Sequence, residues 1–531
     1  MRSTFMGLET AKRGMFTQQG VLYVTGNNIS NANTPGYTRQ RANMVQTDSY
    51  PYSGMNRPGI PGQIGTGVTT GSIERVRDSF LDQQIRQQNN SVGYYNGLSD
   101  ALGKMEQIMN EPSTSGLQST MDKFWNSLQT LAANTENSGA RDVVASTGQM
   151  VADTFNYYYN SLTRVQTDLG NQISVKTTEI NEAIKSIAEL NRKISEVEPH
   201  GMLPNDLYDQ RDALVDQLSS MVNINVTRVQ PTQYGNALPQ ADGLYNIELV
   251  KDDGKSSVPP INLIEASTKG NGGYKQFSIT PENLEGSVDK IVMTDSANSA
   301  KSVEISAKDF GKSGELSAII QAYGYEDGGV KGSFPDMLKK LNDMAYAFGK
   351  EFNAIHSQGY ILDDGTNTNI QGGDFFEGLN KENAAQTIKV KASIIDNPST
   401  IAAGGTSGKS GDNQNAQKLA NIKKLSFSEY SIYNGTETKP DTLTGNMDSY
   451  YAGIIGKLGV ESKSAQQNLK NASTIAASVE ERRQSVSEVS LDEEMVNMIK
   501  FQHAYNASAR NITMIDEMLD KIINGMGVVG R

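Results

Sequence analysis

The stretch "NNISNANTPGYTRQ", residues 27–40, separates two kinds of sequence. Before it, Leu8, Met15, Leu22 and Ile29 recur every seven residues, flanked by Phe5, Ala11 and Ala32. That spacing predicts one helix with a coiled-coil-like seam. The helix is poorly built to stand alone. Gly7, Gly14 and Gly20 each cost roughly 1 kcal/mol against alanine in a helix interior, and Val21, Val24 and Thr25 are β-branched. Within the quoted stretch, Asn27, Asn28, Asn31 and Asn33 have side chains that compete for nearby backbone and tolerate left-handed conformations. Pro35 lacks an N–H and biases Thr34 away from the helical region, and Gly36 supplies a free turn. Asn31, Asn33, Pro35 and Gly36 are therefore the predicted helix-stop turn, with the chain redirected over 33–36.

The opposite end of the chain has a matching pattern. Alternating steps of four and three from Leu491 give Leu491, Met495, Met498, Gln502, Tyr505, Ala509, Ile512, Asp516, Leu519, Ile523 and Met526, nine of the eleven apolar. Ser490 and Glu493 read as a capping box before this run, and Asn524-Gly525 as its stop. A helix over 491–524 is about 50 Å long. Each seam side chain contributes about 1.5–3 kcal/mol if fully buried, against about 1–2 kcal/mol of backbone entropy for every residue ordered. A lone helix is marginal, and a single partner leaves much apolar surface wet. The expectation is that both ends are loose in the isolated subunit and become helical among several copies. The alternative from pattern alone is an intramolecular antiparallel pair that closes the domain.

A chain of 531 residues is too long for one core. With 48 Lys and Arg against 60 Asp and Glu, the net charge is −12, which disfavours nucleic acid and anionic membrane surfaces. No apolar run is long enough to span a bilayer. The absence of cysteine removes disulfides, thiolate metal sites and Cys nucleophiles. The first residues lack the uninterrupted apolar core and cleavage site of a signal peptide. That fits either a cytosolic protein or export that cuts no signal.

Between the ends the period changes twice. Residues 73–222 read as helical, with a rod over about 141–197 carried by Val151, Tyr158, Leu162, Leu169, Ile173, Ile180, Ile184, Ile187 and Ile194. "EPHGMLPND" (198–206) breaks it, and an amphipathic helix follows to Met221. Over 223–314 the period is two, as in Tyr245-Ile247-Leu249, Phe277-Ile279 and Val303-Ile305. Helices are expected again over 315–357, 413–424 and 447–486, around a polar, Gly-rich stretch at 361–412. The fold class is α+β and multidomain: terminal coiled-coil helices, an elongated helical bundle and an inserted β-rich domain. The expected division is 1–72 with 487–531 (inner coiled coil), 73–222 with 315–360 and 413–486 (helical rod), 223–314 (β-rich, looped out furthest) and 361–412 (small insertion).

No catalytic constellation is legible, and no cofactor or metal site. The three histidines, His200, His356 and His503, have no two-His metal spacing. "AAGGTSGKSG" (402–411) holds Gly-Lys-Ser, but Ala403 stands where a phosphate-binding loop needs its first glycine, and no strand leads in. "GTGVTTG" (65–71) places its last glycine one residue late for a dinucleotide fingerprint. Both read as loops.

The quoted stretch resembles the signature shared by bacterial flagellar rod, hook and hook-associated proteins. "SLDEEMVNMIKFQHAYNASARNITMIDEMLDKIINGMG" is similar to their C-terminal helix, and "MRSTFMGLETAKRGM" with "NDLYDQRDALVDQLSSMV" (205–222) points to a junction protein rather than the hook protein. The resemblance covers roughly the first 75 residues, parts of the helical middle and the last 45. It implies an extracellular structural subunit of the flagellum at the hook–filament junction, exported unfolded through a type III apparatus with no cleaved signal peptide. Implied partners are further copies of itself, the hook protein, the second hook–filament junction protein and an export chaperone on the C-terminal helix, within about 490–531. The seam it implies is Leu8, Met15, Leu22 and Ile29 against Leu491, Met495, Met498, Tyr505, Ile512 and Leu519. The other reading is an axial scaffold carrying a peptidase or glycosidase in an insertion, although neither insertion holds paired histidines.

Overall fold

A computed structural model describes residues 5–525, apart from 53, 56–61, 232–233, 253, 268–269, 281–285, 299–300, 364–367 and 434–436. Its spine is α4 (Ser138–Val197), a 60-residue helix about 90 Å long. The Asn137 side chain caps it by accepting from Ala140 N–H at 3.2 Å. One stripe of α4 is fully buried, including Val151, Phe155, Leu162, Ile173, Ile184, Ile187 and Ile194. α2 (Ser79–Met109), α3 (Leu117–Ala133) and α5 (Asn205–Met221) lie around it. α2 approaches α5 so closely that a Cβ on Gly93 would stand 2.0 Å from the Ser220 carbonyl oxygen. α11 (Met447–Ser487) runs along α2, burying Ala465, Ala472 and Val479 at seven-residue intervals.

The expected helical start at Ile73 is a strand instead. β1 (Gln40–Gln46) and β2 (Val68–Arg75) pair antiparallel, with Ala42 opposite Ile73. Thr69, Thr70 and Ile73 are β-branched, and the hairpin lies under α1 (Phe5–Ser30). The expected helix over 315–357 divides into α6 (Glu315–Tyr323) and α7 (Ser333–His356). Gly324 and Gly332, at φ +136° and +141°, turn the chain out between them. The two-residue strands β9 (Tyr325–Glu326) and β10 (Val330–Lys331) fill the gap.

Residues 224–306 form an antiparallel meander of six strands paired in chain order: β3 (Ile224–Val229), β4 (Leu244–Val250), β5 (Ser256–Ser267), β6 (Gly270–Thr280), β7 (Lys290–Asp295) and β8 (Ser302–Ser306). The alternating triplets read in the sequence fall on β4, β6 and β8. The sheet does not stand off from the rod. Asn181 of α4 accepts from Phe277 N–H at 2.7 Å and donates to its carbonyl at 2.9 Å. Asn191 makes the same pair of bonds to Tyr245, at 3.2 and 2.8 Å. Two amides of one helix thus replace ladder bonds, and one apolar cluster runs through helices and sheet.

The 361–412 stretch packs against α7 and α4 through β11 (Phe376–Glu377), α8 (Ala384–Thr387), β12 (Lys389–Val390) and α9 (Ala392–Asp396). Its glycine loop binds a carboxylate, not a phosphate. Asp412 accepts from the N–H groups of Gly405, Thr406 and Ser407 at 3.0, 2.9 and 3.0 Å. Against the penalty of burial, these bonds hold the Asp412 carboxyl well below the usual range. His356 is fully buried beside Phe352 and Phe375. Its Nδ1 donates to Gly373 O at 2.6 Å and its Nε2 accepts from Ala402 N–H at 2.9 Å. Burial pushes its pKa down to about 4, so it is a neutral core residue. α10 (Gln414–Asn421) and α12 (Leu491–Gly525) complete the chain.

Candidate assembly interface

α1 and α12 lie antiparallel with a fixed register. A Cβ on Gly7 would meet Ile515 Cδ1 at 3.3 Å, and one on Gly14 would meet Ser508 Oγ at 3.3 Å. Asn28 Nδ2 donates to Glu494 Oε2 at 3.2 Å. Each seven-residue step along α1 is matched by seven residues back along α12. Two of the three glycines that weaken α1 as an isolated helix, Gly7 and Gly14, thus face α12, while Gly20 faces Thr70 of β2.

The predicted seam needs one correction on each helix. On α1, Leu8, Met15, Leu22 and Ile29 are only half-buried. The buried residues are Ala11, Thr17, Val21, Val24, Thr25 and Asn28, because α1 is also covered by the β1–β2 hairpin, where Thr17 Oγ1 donates to Val68 O at 3.0 Å. On α12, Met498, Tyr505, Ile512 and Leu519 are half-buried, whereas Leu491 and Met495 are 46% and 50% exposed. The facing line is Glu494, Met498, Phe501, Tyr505, Ser508, Ile512, Ile515 and Leu519. A period of 3.5 admits two phases that share Met498, Tyr505, Ile512 and Leu519. The polar Gln502 and Asp516 in the four-then-three phase, against Phe501 and Ile515 in the other, were the signal that decides between them.

The pair leaves large apolar side chains of both helices open. Glu494 is the only buried residue among the described residues of α12. Val496, Ile499, Met514 and Met518 are 65%, 55%, 51% and 49% exposed, and Phe16 and Tyr23 of α1 are 54% and 71% exposed. On α12 these residues fall in two groups, Val496 with Ile499 and Met514 with Met518, separated by the exposed Lys500, His503 and Arg510; exposed apolar side chains at both ends of one helix are more than a lone surface residue.

The helix stop acts earlier than the predicted 33–36. α1 ends at Ser30. The Asn31 side chain donates to Asn27 O at 3.1 Å and accepts from Thr34 Oγ1 at 3.1 Å. Asn33 and Pro35 are exposed on the turn, and Gly36 takes φ +78°. The residue that composition did not single out is Asn28, fully buried. Its Oδ1 accepts from Tyr37 O–H at 2.8 Å and Gln40 N–H at 3.0 Å; its Nδ2 donates to Gln40 O at 2.8 Å and to Glu494. All four hydrogen-bonding positions of the amide are filled, and the Gln40 backbone fixes its orientation.

Past the turn the chain lands on the helical body. Thr38 N–H donates to Asp209 Oδ2 at 3.1 Å and Arg39 N–H to Ser487 O at 2.9 Å. Asp209, Asp212 and Asp216 share one face of α5 at helical spacing. Arg75 of β2 reaches Asp209 and Asp212, each at 2.8 Å. Arg77 reaches Asp212 at 3.3 Å, Arg86 of α2 reaches Asp212 at 3.0 Å and Asp216 at 2.8 Å, and Arg483 of α11 reaches Asp216 at 2.5 Å. Burial opposes the charge on Asp212, yet Arg77, Arg75 and Arg86 hold its carboxyl well below the usual range. This hub clamps β2, α2, α5 and α11 together beneath the turn. The "NDLYDQRDALVDQ" pattern shows the three acids; the arginines that meet them are scattered from 75 to 483 and share no motif.

Three family models match along the chain: "Flagella basal body rod protein" over 8–38, "Flagellar hook-associated protein FlgK helical domain" over 102–376, and "Flagellar basal body rod FlgEFG protein C-terminal" over 482–525. The two rod models cover α1 with its turn, and α12. Flagellar hook-associated protein 1 of Bacillus subtilis is 44% identical over 538 residues, with 100% of both chains covered. The chain belongs to the flagellar hook-associated protein 1 family. The relative from Salmonella typhimurium is 24% identical over 97% of this chain and 98% of its own. The fold is similar to that of the flagellar hook junction protein FlgK from Burkholderia pseudomallei, with a TM-score of 0.55 and 14% identity, covering 76% of this chain and 100% of that one. As a hook-associated protein 1, the chain is a structural component of the flagellum and not an enzyme. The hydrolase reading falls with that. No described helix is long and apolar enough to cross a membrane.

Proposed function

We propose that the chain joins the flagellar hook to the filament, with the paired terminal helices as its assembling part. It is exported unfolded and without cleavage, and its copies sit outside the cell, held between the hook protein and the second junction protein. The observation that carries this reading is α12, which keeps a single buried residue while displaying Val496, Ile499, Met514 and Met518 to solvent. Neighbouring copies covering that face would supply the burial that one partner helix does not. A chaperone on residues 490–531 before export fits the same apolar side chains. The turn at 31–36 redirects the chain from the helix pair to the body, so the pair and the body can occupy different layers of a tube.

Deleting the gene tests the reading. Cells without it are expected to build hooks that carry no filaments and to lose filament protein to the medium, with restoration by the full chain and not by a chain ending at Ser490. Normal filaments in the deletion strain would overturn the proposal.

A further inference from the structure

The α1–α12 seam repeats every seven residues, and repetition makes register ambiguous. Sliding α12 by one heptad, about 10 Å, would set Ile515 against Gly14, Ser508 against Val21 and Phe501 against Asn28. Along most of the seam, small and apolar residues would still meet small and apolar residues. One position does not tolerate the slide. Asn28 and Glu494 are both buried, and the bonds that Glu494 accepts, from Asn28 and from Arg39, are specific to this alignment. Glu494 Oε1 accepts from Arg39 Nε at 2.8 Å while Oε2 accepts from Asn28. Asn28 is itself held by Tyr37 and by both backbone groups of Gln40. After a one-heptad slide the Asn28 amide would face an aromatic ring, and Glu494 would lose both donors. A buried polar pair in an otherwise apolar seam is the device that sets alignment in coiled coils.

We propose that Asn28 and Glu494, braced by the turn through Tyr37, Gln40 and Arg39, are the register key of the terminal helix pair. The key specifies which heptad of α12 faces which heptad of α1. It thereby fixes where the open apolar side chains lie relative to the body. This rests on the reading of the pair as the assembling part. It also gives the asparagine-rich turn a second task besides stopping the helix: presenting one fully bonded amide to α12.

The chain has no cysteine, so engineered pairs form disulfides without competition. Gly14→Cys with Ser508→Cys reports the observed register, in which the two positions are already within bonding reach. Gly14→Cys with Ile515→Cys reports a register slid by one heptad. Both pairs are placed in the purified full chain, once with the key intact and once with Asn28→Leu and Glu494→Leu, and the intrachain cross-linking rates are compared under mild oxidation. With the key intact, the first pair is expected to close at least tenfold faster than the second. Without it, the ratio is expected to fall below about threefold, and Glu494→Gln, which keeps an acceptor for Asn28, should preserve most of the preference. If the key merely stabilised the pair, both rates would fall together and the ratio would stay. A ratio unchanged by the leucine substitutions, or a ratio near one with the key intact, overturns the proposal. Filament attachment in the deletion strain is read separately, so a failed register test alongside hooks without filaments removes the key and leaves the proposed function standing.

Discussion

Replacing Val496, Ile499, Met514 and Met518 together by glutamine leaves the folded body as stable as before and abolishes filament attachment. Glutamine is a good helix former, so α12 loses no intrinsic propensity. All four side chains are about half exposed or more in the subunit, so their removal costs the lone chain little. Full burial of an exposed side chain is worth about 1.5–3 kcal/mol, so completing the burial of four half-exposed ones is worth about 3–6 kcal/mol gross. Much of that is offset by the cost of association. A surviving third still amounts to roughly 5- to 30-fold in affinity at each subunit contact. The subunit's own stability can be followed through Trp125, the single tryptophan, fully buried in the helical body far from the exchanged residues in sequence. The expected pair of results is an unchanged urea midpoint and a strain that makes hooks without filaments. Normal motility would show that this face is not used.

The second large effect is expected at Asp212. Its carboxylate is fully enclosed and shared by Arg75, Arg77 and Arg86, with Tyr245 O–H donating to it at 2.8 Å. Asp212→Ala leaves guanidinium groups facing one another with their common partner gone. Breaking a buried ionic group from one side costs about 3–5 kcal/mol, and the loss should appear as a clearly lower urea midpoint by Trp125 fluorescence. The pH dependence follows from the sign of the shift. The folded carboxyl lies below its unfolded value of about 3.9, so the unfolded chain binds the extra proton. The stabilisation is complete above that value and is lost only as the pH falls through the lower folded value. Mild acid at pH 5 should therefore leave the Asp212 ion pairs intact in the native chain, while Asp212→Ala is already weakened at pH 7. A native-like midpoint for Asp212→Ala would mean that the other pairs of the hub suffice.

The parts of this fold legible from sequence are those held by local periodicity. The rod over 141–197 announces itself because one unbroken stripe of Val, Leu and Ile meets a single continuous core. The strands at 245–249, 277–279 and 303–305 do so because a half-buried sheet alternates. The hairpin at 40–46 and 68–75 escapes that reading, since neither strand has a clean apolar face: β1 and β2 are mostly half-exposed. The split of 315–357 hangs on glycines whose positive φ only the folded chain reveals. Along the terminal pair the heptads are plain, but two phases share half their positions, and only Gln502 and Asp516 against Phe501 and Ile515 separate them. Asn28 looked like one of four turn asparagines, and what distinguishes it is a carboxylate 466 residues away. No local pattern carries that information.

Hydrogen exchange at α1 and α12, compared between the free full-length chain and the same chain in isolated hook–filament structures, tests most directly whether neighbouring subunits complete the terminal pair. The free chain should form the terminal pair but open it often, exchanging its amides over 5–30 and 491–525 faster than those of α4, and both terminal helices should become strongly protected on assembly. Terminal helices as protected in the free chain as in the assembled one would contradict the account.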